Sequence, residues 1–292
     1  MIVSPRYSMA HAIAALCGVS LMMMSMPVAT RSNDAERTEQ RVAVLLQRMT
    51  LAEKVGQMSQ LNASEADAAH SLGDAIRAGR VGSVINQVNV ATVNELQRIA
   101  VEESRLGIPL LVGRDVIHGF KTVMPIPLGQ AAAWNPDIVE EGARVAAREA
   151  ATIGINWTFA PMVDVTRDPR WGRIAESYGE DPYLTSVMGS ATIEGFQGDD
   201  LAAAGTIAGC AKHFAGYGAA EAGRDYSATY IPENELRNVH LRPFKAAVGA
   251  GAATFMTSFS DVNGVPATAN EFLLRTVLRD EWDYQGFVVS DW

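Results

Sequence analysis

Six short apolar runs, at residues 81–85, 109–112, 155–159, 207–213, 253–259 and 287–290, have the length and the β-branched or aromatic content of buried strands. Between them the pattern changes, and apolar residues return at the three-to-four spacing of amphipathic helices. Start signals mark several of these helices. Thr50 and Glu53 form a capping box at the head of "TLAEKVGQM". Asn135-Pro136 places an N-cap and a first-turn proline before "NPDIVEEGARVAAREAATIG", with Gly154 as its stop. Asn270 caps "NEFLLRTVLRDEW", where Leu273/Val277 and Leu274/Leu278 stack at a spacing of four.

Strands that alternate with helices need crossover connections and so form a parallel sheet. Six of them, the last at the final residues, predict an α/β fold: a (β/α)8 TIM-type barrel, incomplete at its C-terminal end. The rival is an open doubly wound sheet. No Gly-rich phosphate loop supports it, because "GAGAAT" lacks the third glycine and reads as a helix end entering a strand. With no internal repeat and no low-complexity linker, residues 31–292 are expected to be one barrel domain, truncated, with no second domain.

Residues 1–30 follow a different rule. Arg6 precedes an apolar stretch over residues 10–26, small residues follow near "PVAT", and the chain turns charged at residues 31–39. That layout predicts a secretory signal peptide, and hence an exported protein, periplasmic or secreted, with no membrane attachment after its removal. The apolar run is short for a bilayer span, and Leu16 before Cys17 argues against a lipoprotein cleavage site. If Cys17 leaves with the leader, Cys210 has no cysteine to pair with, and thiolate metal sites are excluded too. The net charge of −9 is spread without a basic stripe, which argues against nucleic acid as a partner.

In parallel α/β folds, functional side chains gather at the C-terminal ends of strands. Here those ends are polar. "GRDVIHG" offers Asp115 and His118; "APMVDVTRDPRWGRIAESYGED" offers Asp164, Arg167, Asp168, Arg170, Arg173 and Glu176; "AKHF" offers Lys212 and His213; the last strand ends in Asp291. Each has a plain alternative: a lone Asp as a helix N-cap, Lys-His as a solvated rim, Arg170 and Arg173 around Trp171 as an ion-paired brace. Their coincidence at one mouth favours a ligand rich in hydroxyls. Carboxylates and cations would bond a sugar, and the flat indoles of Trp171 and Trp292 would stack on it. His118 and His213 lack a second His or Cys at ligand spacing, so no metal is expected. No G-x-S-x-G nucleophile elbow is present.

The motifs "LGIPLLVGRDVIHG", "NWTFAPMVDVTRDPRWGRIAESYGEDP", "CAKHFAGYG" and "GFVVSDW" resemble glycoside hydrolase family 3, in particular its periplasmic β-glucosidases, over residues 50–292. The resemblance implies a retaining, exo-acting β-glucosidase that uses no cofactor and acts on β-glucosides or β-linked gluco-oligosaccharides. It makes Asp291 the nucleophile and gives Asp115, Arg173, Lys212 and His213 the hydroxyls of the terminal sugar. Glu176 would orient Arg173, and Trp292 would pack beside the sugar. His118 and Asp164 would support the site, and Phe259 stands where some relatives have a tyrosine.

A retaining mechanism needs a second carboxylate, roughly 5–5.5 Å from the first. In the β-glucosidase branch it lies on a later domain. In the N-acetylglucosaminidase branch it is replaced by a histidine on the loop after the KHF strand, here residues 215–229, which contain no histidine. The resemblance therefore implies a chain that lacks its general acid/base and is nearly inactive by itself. The alternatives are a β-xylosidase or β-N-acetylglucosaminidase of the same family, or a carbohydrate-binding protein without turnover.

Overall fold

The structure, a computed structural model, describes residues 28–292, with side chains from residue 37 onward. Most of the expected leader therefore lies outside the described residues. The chain divides into two units, Met1–Lys54 and Val55–Trp292. In the first, the helix Val28–Arg48 is followed by the predicted capping box. Thr50 N donates to Glu53 Oε2 (2.8 Å), and Glu53 N donates to Thr50 Oγ1 (3.3 Å). Among the described residues, no helix is long and apolar enough to cross a membrane.

The second unit carries nine strands: β1 (Gln60–Asn62), β2 (Ser83–Ile85), β3 (Leu111–Arg114), β4 (Trp157–Thr158), β5 (Cys210–Phe214), β6 (Thr254–Thr257), β7 (Asp261–Val262), β8 (Val265–Pro266) and β9 (Phe287–Val289). Each of the six predicted runs overlaps one. The sequence reading missed β1, whose three residues offer one apolar position, and the β7–β8 hairpin. Strands β1-β2-β3-β4 and β5-β6-β9 form two sheets that are parallel throughout. Single parallel bridges, Trp157 to Ala208 and Met162 to Lys212, carry the order from the first sheet to the second. Strands β1 and β9 end this order without pairing to each other, so the barrel is not closed.

Alternation along each strand decides which side chains face inward. Ile85, Leu111, Cys210, Met256 and Val289 join Trp157 and Phe159 in one cluster drawn from six strands and their extensions. Their sequence neighbours point the other way. Val84 and Val112 meet Leu96, Ile99 and Ala147 of the covering helices, while Ala211, Phe255 and Val288 meet Phe244, Ala247 and Val277. The sheets curl enough for non-neighbouring strands to touch inside. Trp157 meets Phe287 edge to face at 5.3 Å, and Phe159 meets Trp292 at 4.8 Å. Gly113 belongs to this inward set; a Cβ there would stand 2.6 Å from the Phe159 ring.

The predicted caps form. Asn135 Oδ1 accepts from Asp137 N (3.0 Å) at the head of Pro136–Ala151, and the chain leaves that helix through Gly154 at φ 90°. Asn270 Oδ1 accepts from Leu273 N (3.1 Å). The turns that follow, Phe272–Glu281, are wider than an α-helix, and Leu273, Val277 and Leu278 are their buried face. "GAGAAT" does run from the end of Arg242–Gly249 into β6.

Candidate active site

Four strand ends bring the predicted residues together. Asp115 follows β3, Asp164, Arg173 and Glu176 lie in the segment after β4, Lys212 and His213 stand on β5, and Asp291 follows β9. The inward alternation of Cys210 and Val289 places Lys212 and Asp291 on the inner side two residues later. His213 ought to face outward by the same rule. A register shift between Lys212 and Phe214 interrupts the alternation, and both side chains reach the site. The Lys212–His213 and Phe214–Ala215 peptides are cis.

Lys212 Nζ donates to Asp115 Oδ1 at 2.8 Å; the lysine side chain is 6 % exposed and the aspartate 49 %. Arg173 binds Glu176 in a two-pronged pair, Nε to Oε1 and Nη2 to Oε2, both 2.8 Å. His213 donates its backbone N–H to Asp164 Oδ2 (3.0 Å), and its Nδ1 lies 2.8 Å from the same oxygen. On the other side of the ring, Nε2 stands 3.5 Å from Asp291 Oδ2. Trp292 N donates to Asp291 Oδ1 at 3.0 Å.

Burial sets the electrostatics. It pushes the Asp291 carboxyl up to about 6, against the Trp292 N–H and the cations Lys212 and Arg173, which favour its charged form. Burial pushes the fully enclosed Asp164 up to about 7. It holds the His213 imidazole well below its ordinary value, reinforced by Lys212 and Arg173. Burial also opposes ionisation of Glu176, but the Arg173 pair outweighs it and keeps that carboxyl below its usual range. The site thus holds one carboxylate near its titration point under the influence of two cations, and one buried carboxyl behind the histidine.

A support layer under Arg173 has no motif in the sequence. The guanidinium lies over the Tyr217 ring, 5.6 Å from its centre. Tyr217 and Trp171 are both fully buried and meet edge to face at 5.0 Å. Asp225 accepts from Trp171 Nε1 (2.9 Å) and from the Tyr217 hydroxyl. Trp171 is therefore not a stacking surface for a ligand: its indole is enclosed, and its N–H is committed. The only local hint was the pair of glycines around Tyr217; a Cβ on Gly218 would stand 2.3 Å from the Val165 carbonyl oxygen.

The remaining expected residues are placed as follows. Phe259 lies tilted to His213 at 6.4 Å and closes the aromatic group with Tyr217. Trp292 is 56 % exposed beside Phe159, available to a ligand. His118 is held within its own loop, with Nδ1 3.2 Å from the Met124 carbonyl oxygen, and lines an apolar cavity with Val116, Met124 and Phe196. Arg170 pairs with Asp168 on the surface as a loop brace. Among the described residues, no group of three or more His, Cys, Asp or Glu could hold a metal ion.

Fold and site together define an α/β-barrel protein with carboxylates and cations gathered at the C-terminal mouth of parallel strands. The family model for the glycosyl hydrolase family 3 N terminal domain matches residues 50–292. The chain belongs to glycosyl hydrolase family 3. It is 41% identical over 265 residues to a periplasmic beta-glucosidase of Salmonella typhimurium, covering 91% of this chain and 34% of that one. A beta-xylosidase of Formosa agariphila is 36% identical over 275 residues, covering 90% and 33%. Among solved structures, the beta-glucosidase from Listeria innocua in complex with glucose superimposes with a TM-score of 0.80 at 40% identity, over 87% of this chain and 37% of that one. The chain spans about a third of the length of the relatives it matches.

Proposed function

We propose that the protein is a retaining, exo-acting β-glucosidase in which Asp291 attacks the anomeric carbon of a terminal β-glucosyl residue. The observation that carries this reading is the setting of Asp291: a carboxylate 9 % exposed at the end of β9, facing His213 and acted on by Lys212 and Arg173. Asp115, Arg173, Lys212 and His213 take the sugar hydroxyls, Glu176 holds Arg173 in orientation, and Trp292 packs beside the ring. Hydrogen bonds that tighten as the ring flattens act on the transition state. The second carboxylate comes from outside this group of residues. Asp225, on the loop after β5, is already committed to Trp171 and Tyr217, which argues against an internal acid of the N-acetylglucosaminidase kind. Export through a leader over residues 1–30 to the periplasm fits the printed name of the Salmonella relative. The catalytic barrel is then residues 31–292.

A fluorinated slow-turnover glucoside tests the reading. Covalent labelling of Asp291 is expected; tight binding with no adduct would instead make the protein a carbohydrate binder. The similarity to a beta-xylosidase supports one second reading. Aryl β-glucosides and β-xylosides differ only in the hydroxymethyl group of the sugar, so faster turnover of the xyloside would replace glucose by xylose.

A further inference from the structure

We propose that Asp164 is a buried carboxylic acid whose O–H donates to His213 Nδ1 and so fixes the imidazole with its Nε2–H directed at Asp291. Asp164 thereby acts as a positioning residue for the nucleophile, and the proposal rests on the reading of Asp291 as that group. Asp164 Oδ2 has two neighbours, the His213 backbone N–H at 3.0 Å and Nδ1 at 2.8 Å. The backbone group is always a donor, so the second contact holds one proton, on either the carboxyl or the ring.

If the ring held it at Nδ1, Asp164 would be an ionised carboxylate with no exposure and with Oδ1 lacking any partner. Nε2 would then be a bare lone pair facing the Asp291 carboxylate. A buried charge with one oxygen unpaired and two opposed acceptors both cost free energy. If the carboxyl holds it, Oδ2 accepts from the backbone, donates to Nδ1, and leaves Nε2–H facing Asp291 Oδ2 in the free site, where a bound sugar hydroxyl can share it. Nε2 is buried with no hydrogen-bond partner, and Asp291 Oδ2 lies 3.5 Å from it. A doubly protonated ring is opposed by burial and by Lys212 and Arg173, while Glu176 and Asp115 act the other way more weakly. Around Asp164 itself, Arg173 and His240 favour its charged form, Glu176 disfavours it, and desolvation exceeds them all.

The arrangement gives Asp291 a neutral donor that needs no further desolvation of charge, beside the two cations. The test reads the tautomer directly. In protein labelled with ¹⁵N-histidine, His213 (assigned by its loss in His213→Gln) is expected to carry its proton on Nε2 with Nδ1 bare at neutral pH. A proton on Nδ1, or on both nitrogens, overturns the proposal. Asp164→Asn supplies a second readout. Its carbonyl must accept the His213 backbone N–H and has no proton for Nδ1, so the tautomer inverts and the acid limb of Asp291 labelling moves up by about one pH unit. An unchanged tautomer and acid limb in a folded Asn variant likewise overturn it. Failure of Asp291 to form any adduct, with the Nε2–H tautomer present, would instead count against the proposed reaction.

Discussion

If Asp291 is the nucleophile, its protonation sets the rate of covalent labelling. Its carboxyl is raised from the usual 3.8 to about 6. It should then be about nine-tenths ionised at pH 7, half at pH 6 and about a tenth at pH 5. A fluorinated glucosyl donor with a dinitrophenolate leaving group needs no general acid, so its labelling rate isolates the nucleophile from the second carboxylate. The rate should rise tenfold per pH unit below about 6 and flatten above it. Lys212→Met removes a cation that favours the charged form, so the inflection should move to higher pH. A rate flat from pH 7 down to pH 4, or an inflection moved downward by Lys212→Met, would refute the reasoning. Stability carries the same signature. The folded value lies above the unfolded one, so the proton-linked stability is present below about pH 3.8 and is lost as pH rises through about 6. Asp291→Asn, uncharged throughout, should match the parent in urea at pH 3.5 and resist urea better at pH 8.

Three further outcomes follow from the packing. Asp225→Ala leaves the Trp171 N–H and the Tyr217 hydroxyl without their acceptor, a loss of about 2–4 kcal/mol, read as a lower urea midpoint with weaker glucose binding through the displaced Arg173. Phe255→Ala opens a hole where a fully buried ring stacks on Tyr284 at 4.6 Å and meets Phe214 and Phe244; about 3–5 kcal/mol of unfolding free energy should disappear. His240 is held neutral by burial, lowered from 6.5 to about 4, so its contribution is present above pH 6.5 and lost as pH falls through 4, about 3 kcal/mol in all. His240→Gln should flatten the loss of stability between pH 7 and pH 4.5.

The β7–β8 hairpin has a local signature in the chain. Asn263-Gly264, between Val262 and Val265, is a strong two-residue turn signal, and both residues adopt positive φ there. Through Asn263 N to Thr229 O (2.8 Å) and Thr229 N to Asp261 O (2.8 Å), that hairpin ties down the loop bearing Asp225. Strand β1 is different. Gln60-Leu61-Asn62 has no apolar run to reveal it, and it is a strand because β2 offers it a parallel edge.

The alternation of strands and helices, the caps at Thr50, Asn135 and Asn270, and the strand ends that carry Asp115, Lys212 and Asp291 are all written in the chain. These depend on local spacing and on the period of the apolar pattern. That His213 shares a face with Lys212 emerges on folding, because a register shift is a property of paired strands. Folding also decides the fate of the three aspartates that look alike in the sequence. Asp115 stays half exposed against Lys212, Asp164 is sealed behind His213, and Asp291 stands near its titration point under the pull of Lys212 and Arg173. A carboxyl's charge depends on the water it loses and the groups it then meets, and the folded chain alone assigns both.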